Sequence, residues 1–304
     1  MKLLQWTIFI DMLGYREING AINTEGAAQD FVDFMLMNKS IFDIQNNKTI
    51  ENSYENSEQF NLYQFYDIKY AFVSDSFILT FYPLEVNDLT NSDKMYMHSA
   101  NALFIITMRL QTFIFNCFSE KGVFLRGGIS NKYCYIKDSF AVGEGLIEAY
   151  KIESTIAIYP RIAFSKDVIT NKKLMKKIEF LSNEMYNGNQ IISVDPNDNV
   201  YFLDYIGFQL ATVDTRNKRV QDLVLKNRKQ FNKHLELVRF YIEKHASEIG
   251  LKLQELKSKR LTIPKDGQHG IDRVIEKFEW LRSYHNDKVC KNNLLSHFIV
   301  NWFL

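Results

Sequence analysis

The first 130 residues switch between two hydrophobic periods in a fixed order, and that order limits the fold more than any other feature. Residues 4–10 alternate weakly, are rich in Ile, Phe and Thr, and read as a strand that ends at Asp11. Met12-Leu13-Gly14-Tyr15 then turns the chain. Residues 26–38 place Phe31, Phe34, Met35 and Met37 at helical spacing. Residues 66–73 and 76–81 read as two strands joined by a tight Ser74-Asp75 turn, with Pro83 ending the second. The pair is a hairpin in pattern, although its turn lacks the glycine that two-residue connections favour. A second helix follows over 95–118, and residues 123–129 form a fourth strand. Strand–helix–strand–strand–helix–strand is the order of an α+β, ferredoxin-like domain, a mostly antiparallel sheet with helices on one face.

Past this unit, Phe140-Ala141-Val142 leads into a helix from about Gly145 to Glu153, and Arg161–Phe164 is a further strand. Beyond Asp214 the pattern is purely helical. Phe231, Leu235, Val238, Ile242, Ile249, Leu253 and Leu256 define one helix, with Gly250 expected to break it. Ile271, Ile275, Phe278 and Leu281 define another. The expected organisation is a first domain over 1–178, connecting strands and loops over 179–213, and a helical region over 214–304. Residues 45–61 are rich in Asn, Glu and Ser and read as an exposed connection.

Charge follows the same division. Residues 214–304 hold 19 Lys+Arg and 11 Asp+Glu, or +8, while residues 1–213 hold 18 and 25, or −7. A nucleic-acid reader built on the sheet needs a basic face, which an acidic sheet-bearing half does not supply. The most apolar run, 102–118, carries Arg109 in its middle and reads as a buried core helix rather than a membrane span. Cys117, Cys134 and Cys290 form no CxxC pair, so neither a zinc knuckle nor a disulfide framework is expected, and a reduced cytoplasmic setting is. The apolar start is stopped by Asp11 and lacks a small-residue cleavage site, so it reads as a strand rather than a signal peptide. No P-loop, H-E-x-x-H or G-x-S-x-G occurs, and His245 and His297 read as surface or core partners rather than ligands.

Two aspartates carry the chemical interest. Asp11 closes an apolar strand, and Asp75 sits in the hairpin turn. In a βαββ arrangement those strands are neighbours, so the carboxylates can converge. Paired carboxylates holding divalent ions are what phosphoryl and nucleotidyl transfer needs. The plainer alternative is that each aspartate caps a turn.

The segments around them resemble a known family. Phe9-Ile10-Asp11-Met12-Leu13-Gly14-Tyr15 is similar to the first metal-binding motif of adenylate and guanylate cyclase catalytic domains. Val73-Ser74-Asp75-Ser76 resembles the second, with Ser in place of the usual Gly. Leu125-Arg126-Gly127-Gly128-Ile129 is similar to the strand after the next helix. Val142 to Glu153 resembles the family's G-x-x-V-N-x-A-x-R-x-E helix. A closer likeness is to the pyrimidine cyclases of the bacterial anti-phage system Pycsar. It lies in the Ser-Asp-Ser hairpin, Arg126-Gly127, Ala149-Tyr150 with Glu153, and Tyr159-Pro160-Arg161-Ile162. In the tail it lies in Lys277-Phe278-Glu279-Trp280-Leu281 followed by Tyr284-His285-Asn286.

The resemblance implies an enzyme that closes CTP or UTP to the 3′,5′-cyclic monophosphate with release of pyrophosphate, as an antiviral signal. Asp11 and Asp75 would hold two Mg²⁺ or Mn²⁺ ions, with the Met12 carbonyl as a further ligand. The backbone of Met12, Leu13, Gly14 and Tyr15 would cradle the phosphates. The family's transition-state arginine falls on Lys151, which keeps the charge but loses the bidentate fork. Its ribose-binding asparagine falls on Ile147. Arg126 or Arg161 would supply the missing positive contact. The purine-reading lysine falls near Ala71, and Tyr70 or Tyr66 would either stack on a pyrimidine or simply pack in the sheet. Family active sites form between two subunits, so a homodimer is implied, with no nucleic-acid or membrane partner. The alternative is a catalytically silent module of the same build that binds a nucleotide or a protein, which Ile147 favours.

Overall fold

The computed structural model describes residues 2–42, 65–73, 75–85, 91–138, 140–186 and 188–301. Ser74 and the connection expected over 45–61 lie outside the described residues. Strand β1 (Trp6–Leu13) pairs antiparallel with β3 (Ser76–Pro83) on one side and with β4 (Phe124–Ser130) on the other. Strand β2 (Tyr66–Val73) completes the expected hairpin with β3. The order β2-β3-β1-β4 is that of the ferredoxin-like unit. Three more strands extend the sheet. β7 (Ile162–Phe164) adds parallel to β4, and β9 (Tyr201–Leu203) and then β8 (Ile192–Val194) follow antiparallel. A separate small hairpin joins β5 (Tyr135–Lys137) to β6 (Phe140–Val142). The segment 179–213, expected as connecting strands and loops, thus completes the main sheet. The boundary expected at 178 falls inside a helix, Lys172–Glu184.

Alternation along β1 sends Trp6, Ile8, Ile10 and Met12 into the main core and leaves Thr7, Phe9 and Asp11 on the other face. The main face is covered by a 30-residue helix, Ser92–Lys121. Asn91 caps its start, and Gly122, left-handed at φ 63°, ends it. It is long and apolar enough to span a bilayer, but 72% of its most apolar window is buried inside the protein. Leu103, Phe104, Ile106, Leu110, Phe113 and Phe118 are fully buried along it, each contributing about 1.5–3 kcal/mol of burial. The helices before it are α1 (Tyr15–Ala21) and α2 (Glu25–Ser40), so it is α3. α2 shares the α3 face through Phe34 and Met35, and Asn116 Nδ2 donates to Asn38 Oδ1 at 2.9 Å.

The two helices of the βαββαβ unit, α2 and α3, share one face as that order predicts, but the next helix does not join them. α4 (Glu144–Thr155) packs against the opposite face, where Phe9, Ala71, Ile78, Ile136 and Ala149 form a second, smaller core. The reason is local. Gly128 leaves β4 bare where α4 crosses it, and a Cβ there would collide with the Ala149 carbonyl oxygen. The second departure is at the end of β1. The strand does not stop at Asp11 but runs on through Met12↔Leu125 and Leu13↔Phe124, and turns at Gly14.

After β7 come α5 (Lys166–Thr170), α6 (Lys172–Glu184), α7 (Tyr205–Ala211), α8 (Lys218–Lys226), α9 (Arg228–Thr262) and α10 (His269–Cys290). Gly250 does not break α9. It is buried between Ile249 and Leu253, and one glycine costs only about 1 kcal/mol against alanine, far less than the flanking burial returns. Phe118 and Phe124 meet His245 of α9 edge-on, at 5.0 and 5.6 Å between ring centres. The helical region therefore shares the main core, which runs from Leu3 to Val300. At its centre Tyr205 OH lies 3.0 Å from His245 Nε2, His245 Nδ1 lies 2.9 Å from His285 Nδ1, and His285 Nε2 lies 2.8 Å from the Phe298 carbonyl. A carbonyl only accepts, so His285 donates from Nε2 and accepts at Nδ1. His245 therefore donates from Nδ1 and accepts from Tyr205. Both rings are neutral, and every ring nitrogen is used.

Candidate active site

β1, β3 and β4 place the candidate residues by register. Asp11 stands opposite Ser76 on one side and opposite Arg126 on the other. The Met12 N–H donates to the Asp75 carbonyl at 3.2 Å, which ties the hairpin turn to the end of β1. The Asp11 and Asp75 carboxyls lie close enough to share a hydrogen bond when one of them holds a proton. Arg126 Nε donates to Asp11 Oδ2 at 2.8 Å and lies 2.7 Å from Glu153 Oε1. Its single N–H is aimed at Asp11, so the buried Glu153 Oε1 gains an ion pair but no hydrogen bond.

The electrostatics follow from this crowding. Burial raises the Asp11 carboxyl above the ordinary carboxylate value. Arg126 pulls it back down, and Asp75 pushes it up again. Glu153 is raised by burial, lowered by Arg126 and raised by both aspartates. Lys277 of α10 is lowered by burial and by Arg126, and supported by Asp11 and Glu153. The site thus combines three carboxylates, one guanidinium and one ammonium, drawn from β1, the β2–β3 turn, β4, α4 and α10. Two carboxylates in hydrogen-bond reach suit a divalent cation, because its charge offsets both the burial of Asp11 and the repulsion between the pair. Among the described residues no three His, Cys, Asp or Glu side chains form a ready-made metal cage. The fit is therefore to the aspartate pair.

The other expected residues divide. Met12 is buried in the core, with its backbone beside the Asp75 carbonyl. Leu13 is half-buried, and Gly14, at φ 87° and exposed, begins α1. The Tyr15 ring packs on Phe31 with centres 5.6 Å apart. Lys151 is exposed on α4. It lies two positions from Glu153, on the far side of the helix from Arg126. Ile147, one turn earlier, is 67% exposed. These two positions share a face that looks away from the carboxylates of their own chain.

Two expectations are corrected. Tyr70 lies on the α3 face of the sheet with Phe72 and Phe77, and Lys39 Nζ sits 4.8 Å from its ring centre. It cannot stack on a base held at Asp11, because alternation along β2 puts it on the opposite side. Tyr66 is buried on that same side, its hydroxyl donating to the Leu4 carbonyl. Arg161 is buried away from the aspartates. Its Nη1 donates to Asp195 Oδ2 at 2.7 Å, its Nη2 pairs with Asp198, and Trp280 and Tyr159 flank its guanidinium. It is a structural ion pair that fastens the start of β7 to the β8–β9 turn, with Trp280 of α10 beside it.

Glu153 and Lys277 join the site without being expected there. Each sits in a fragment that carries the family likeness, Glu153 as the last residue of the α4 fragment and Lys277 as the first of the tail fragment. That placement is the signal for both. No model of a known protein family matches the chain, and no curated protein matches it.

Proposed function

We propose that the chain is a nucleotidyl cyclase that converts a pyrimidine nucleoside triphosphate, CTP or UTP, to its 3′,5′-cyclic monophosphate and pyrophosphate. Its proposed setting is the cytoplasm and its proposed role an antiviral signal, both following from the family likeness. The observation that carries the reading is the meeting of the Asp11 and Asp75 carboxyls at one end of β1. Mg²⁺ or Mn²⁺ held by these two residues would supply acidification of the attacking hydroxyl and neutralisation of the phosphates.

The ribose 3′-oxygen bonds to the α-phosphorus, the bond to the bridging oxygen breaks, and the hydroxyl proton passes to solvent. Arg126 and Lys277 place positive charge beside the reacting phosphates, where it counts most in a partly dehydrated cleft. Ala71, at the position of the purine reader, is buried beside Phe9 and Ile78 and offers a base no polar group. That supports a pyrimidine in the absence of any contribution from Tyr70.

The homodimer belongs to the same proposal. Phe140, Val142, Ile147 and Tyr150 expose 76%, 59%, 67% and 54% of their surface around the β5–β6 hairpin and α4. Exposed apolar side chains on neighbouring elements are a mark of association faces. Lys151 lies among them, so it would serve the site of the second subunit rather than its own.

A second reading, a silent nucleotide- or protein-binding module, is favoured by Ile147, which cannot hydrogen-bond a ribose, and by Arg126, which already neutralises Asp11. One experiment separates them. The purified protein is incubated with each nucleoside triphosphate and Mn²⁺, and pyrophosphate release and cyclic product are measured. Turnover of CTP or UTP alone, lost in Asp75→Asn, supports the cyclase. No turnover of any triphosphate leaves the binding module, and unchanged turnover in Asp75→Asn removes the metal assignment.

A further inference from the structure

The C-terminal helices form more than a brace. α9 and α10 enclose, with α1 and the α3–β4 turn, a cavity of about 470 Å³. That volume lies within the range of small-molecule sites. Its wall holds four lysines, Lys121, Lys252, Lys259 and Lys277, against one carboxylate, Glu17. Lys252 Nζ lies 3.2 Å from Glu17 Oε2 and 3.0 Å from Glu255 Oε2, and Lys259 Nζ lies 3.5 Å from Glu17 Oε1, so these two ammoniums are held by two acids while Lys121 and Lys277 add further positive charge. Lys121 sits over the Phe34 ring at 5.1 Å. The rest of the wall is largely apolar, with Ile18, Leu256 and Phe278 prominent. Gly14 opens onto it, and a Cβ there would meet nothing within 4 Å.

An excess of positive charge in a cleft with low-dielectric walls concentrates anions. Lysine ammoniums bind phosphate as mobile point charges, without the fixed geometry of arginine. An apolar wall of this extent adds affinity for a ligand with a ring body over a bare anion. We infer that this cavity is a binding site for a small organophosphate of nucleoside-phosphate size, adjoining the aspartate pair and sharing Lys277 with it but holding its ligand without either aspartate. Its phosphate lies among Lys252, Lys259 and Lys277, and its ring lies against Ile18, Leu256 and Phe278. Lys277 belongs to both sites, since its ammonium also faces Asp11, Glu153 and Arg126. An occupant that draws Lys277 toward the cavity alters the charge balance at the carboxylates, and the coupling runs equally in the reverse direction.

The inference rests on the cavity and not on the cyclase reading, and its test needs no turnover. The full chain is titrated calorimetrically with CMP and with inorganic phosphate, in EDTA so that metal-dependent binding at the aspartates is absent. Saturable CMP binding is expected, tighter than inorganic phosphate and weakening as salt is raised. A Lys252→Gln/Lys259→Gln double variant should lose at least tenfold in CMP affinity. Val274→Trp, which fills the cavity mouth without removing charge, should do the same, while Asp75→Asn should retain saturable CMP binding. No saturable CMP binding would overturn the inference. So would CMP binding no tighter than phosphate, wild-type affinity in the two cavity variants with native circular dichroism, or loss of binding in Asp75→Asn. Binding without turnover would leave the cavity site standing and remove the cyclase; turnover without EDTA-resistant binding would do the opposite.

Discussion

The paired histidines make the protein sensitive to mild acid through a route that can be worked out. Burial lowers the His285 imidazole to about 4 against the opposing pull of the Phe298 carbonyl, and burial, with His285 beside it, lowers His245 well below its ordinary value. In the unfolded chain both titrate near the ordinary value of about 6.5. Above that pH neither state binds a proton and the pair contributes no pH dependence. Between about 6.5 and 4 the unfolded chain takes up protons that the folded chain refuses, so stability falls as pH falls. For His285 alone the loss between pH 7 and pH 5 comes to about 2 kcal/mol, from a folded value near 4 and an unfolded value near 6.5. The assay is urea unfolding of wild type and His285→Gln at pH 7 and at pH 5. Glutamine accepts and donates but does not titrate, so carboxylate titrations common to both proteins cancel in the difference. The wild type should lose about 2 kcal/mol more than the variant over that interval. Equal losses in the two proteins would refute the neutral, fully bonded assignment of the His245–His285 pair.

Three further outcomes are expected. Gly128→Ala should destabilise by about 1–3 kcal/mol in denaturant unfolding, because its Cβ runs into the Ala149 carbonyl and must push α4 off the sheet. Arg161→Met should cost about 3–5 kcal/mol in the same measurement, since it leaves the buried Asp195 without its guanidinium. A Phe140→Glu/Ile147→Glu pair should shift sedimentation velocity from the proposed dimer to monomer while the circular dichroism stays native, as both side chains face solvent in the single chain.

Much of this architecture is legible in the residues, and the failures have physical causes. The β1–β3–β4 neighbourhood and the hairpin follow from period-two alternation and turn chemistry, and with them the meeting of Asp11 and Asp75. The length of α3 and its burial follow from its continuous apolar run despite Arg109, which lies buried with Nη1 3.5 Å from the Phe42 carbonyl. The placing of α4 is hidden because its cause is an absence: Gly128 on β4 presents no side chain, and composition alone does not say which element fills the space. Tyr70 and Arg161 misled for related reasons. An aromatic in a strand is assigned a face only by parity from a fixed reference. A charged residue near a motif gives no hint that Asp195 and Asp198, far along the chain, will claim it. Lys277 comes from a helix remote in sequence, and periodicity carries no information about which helix end meets which strand.

The interlocking of the helical region with the sheet has a practical corollary for anyone trimming the protein. A fragment cut back to the first 213 residues would bare Phe118 and Phe124, whose rings are shielded by His245, Tyr241 and Phe278. It would also strip Trp280 from the stack on Tyr159, at 5.3 Å between ring centres. Such a fragment would be a sticky, half-built sheet and not a minimal folded unit. Dissection of this protein is better done by point substitution than by deletion.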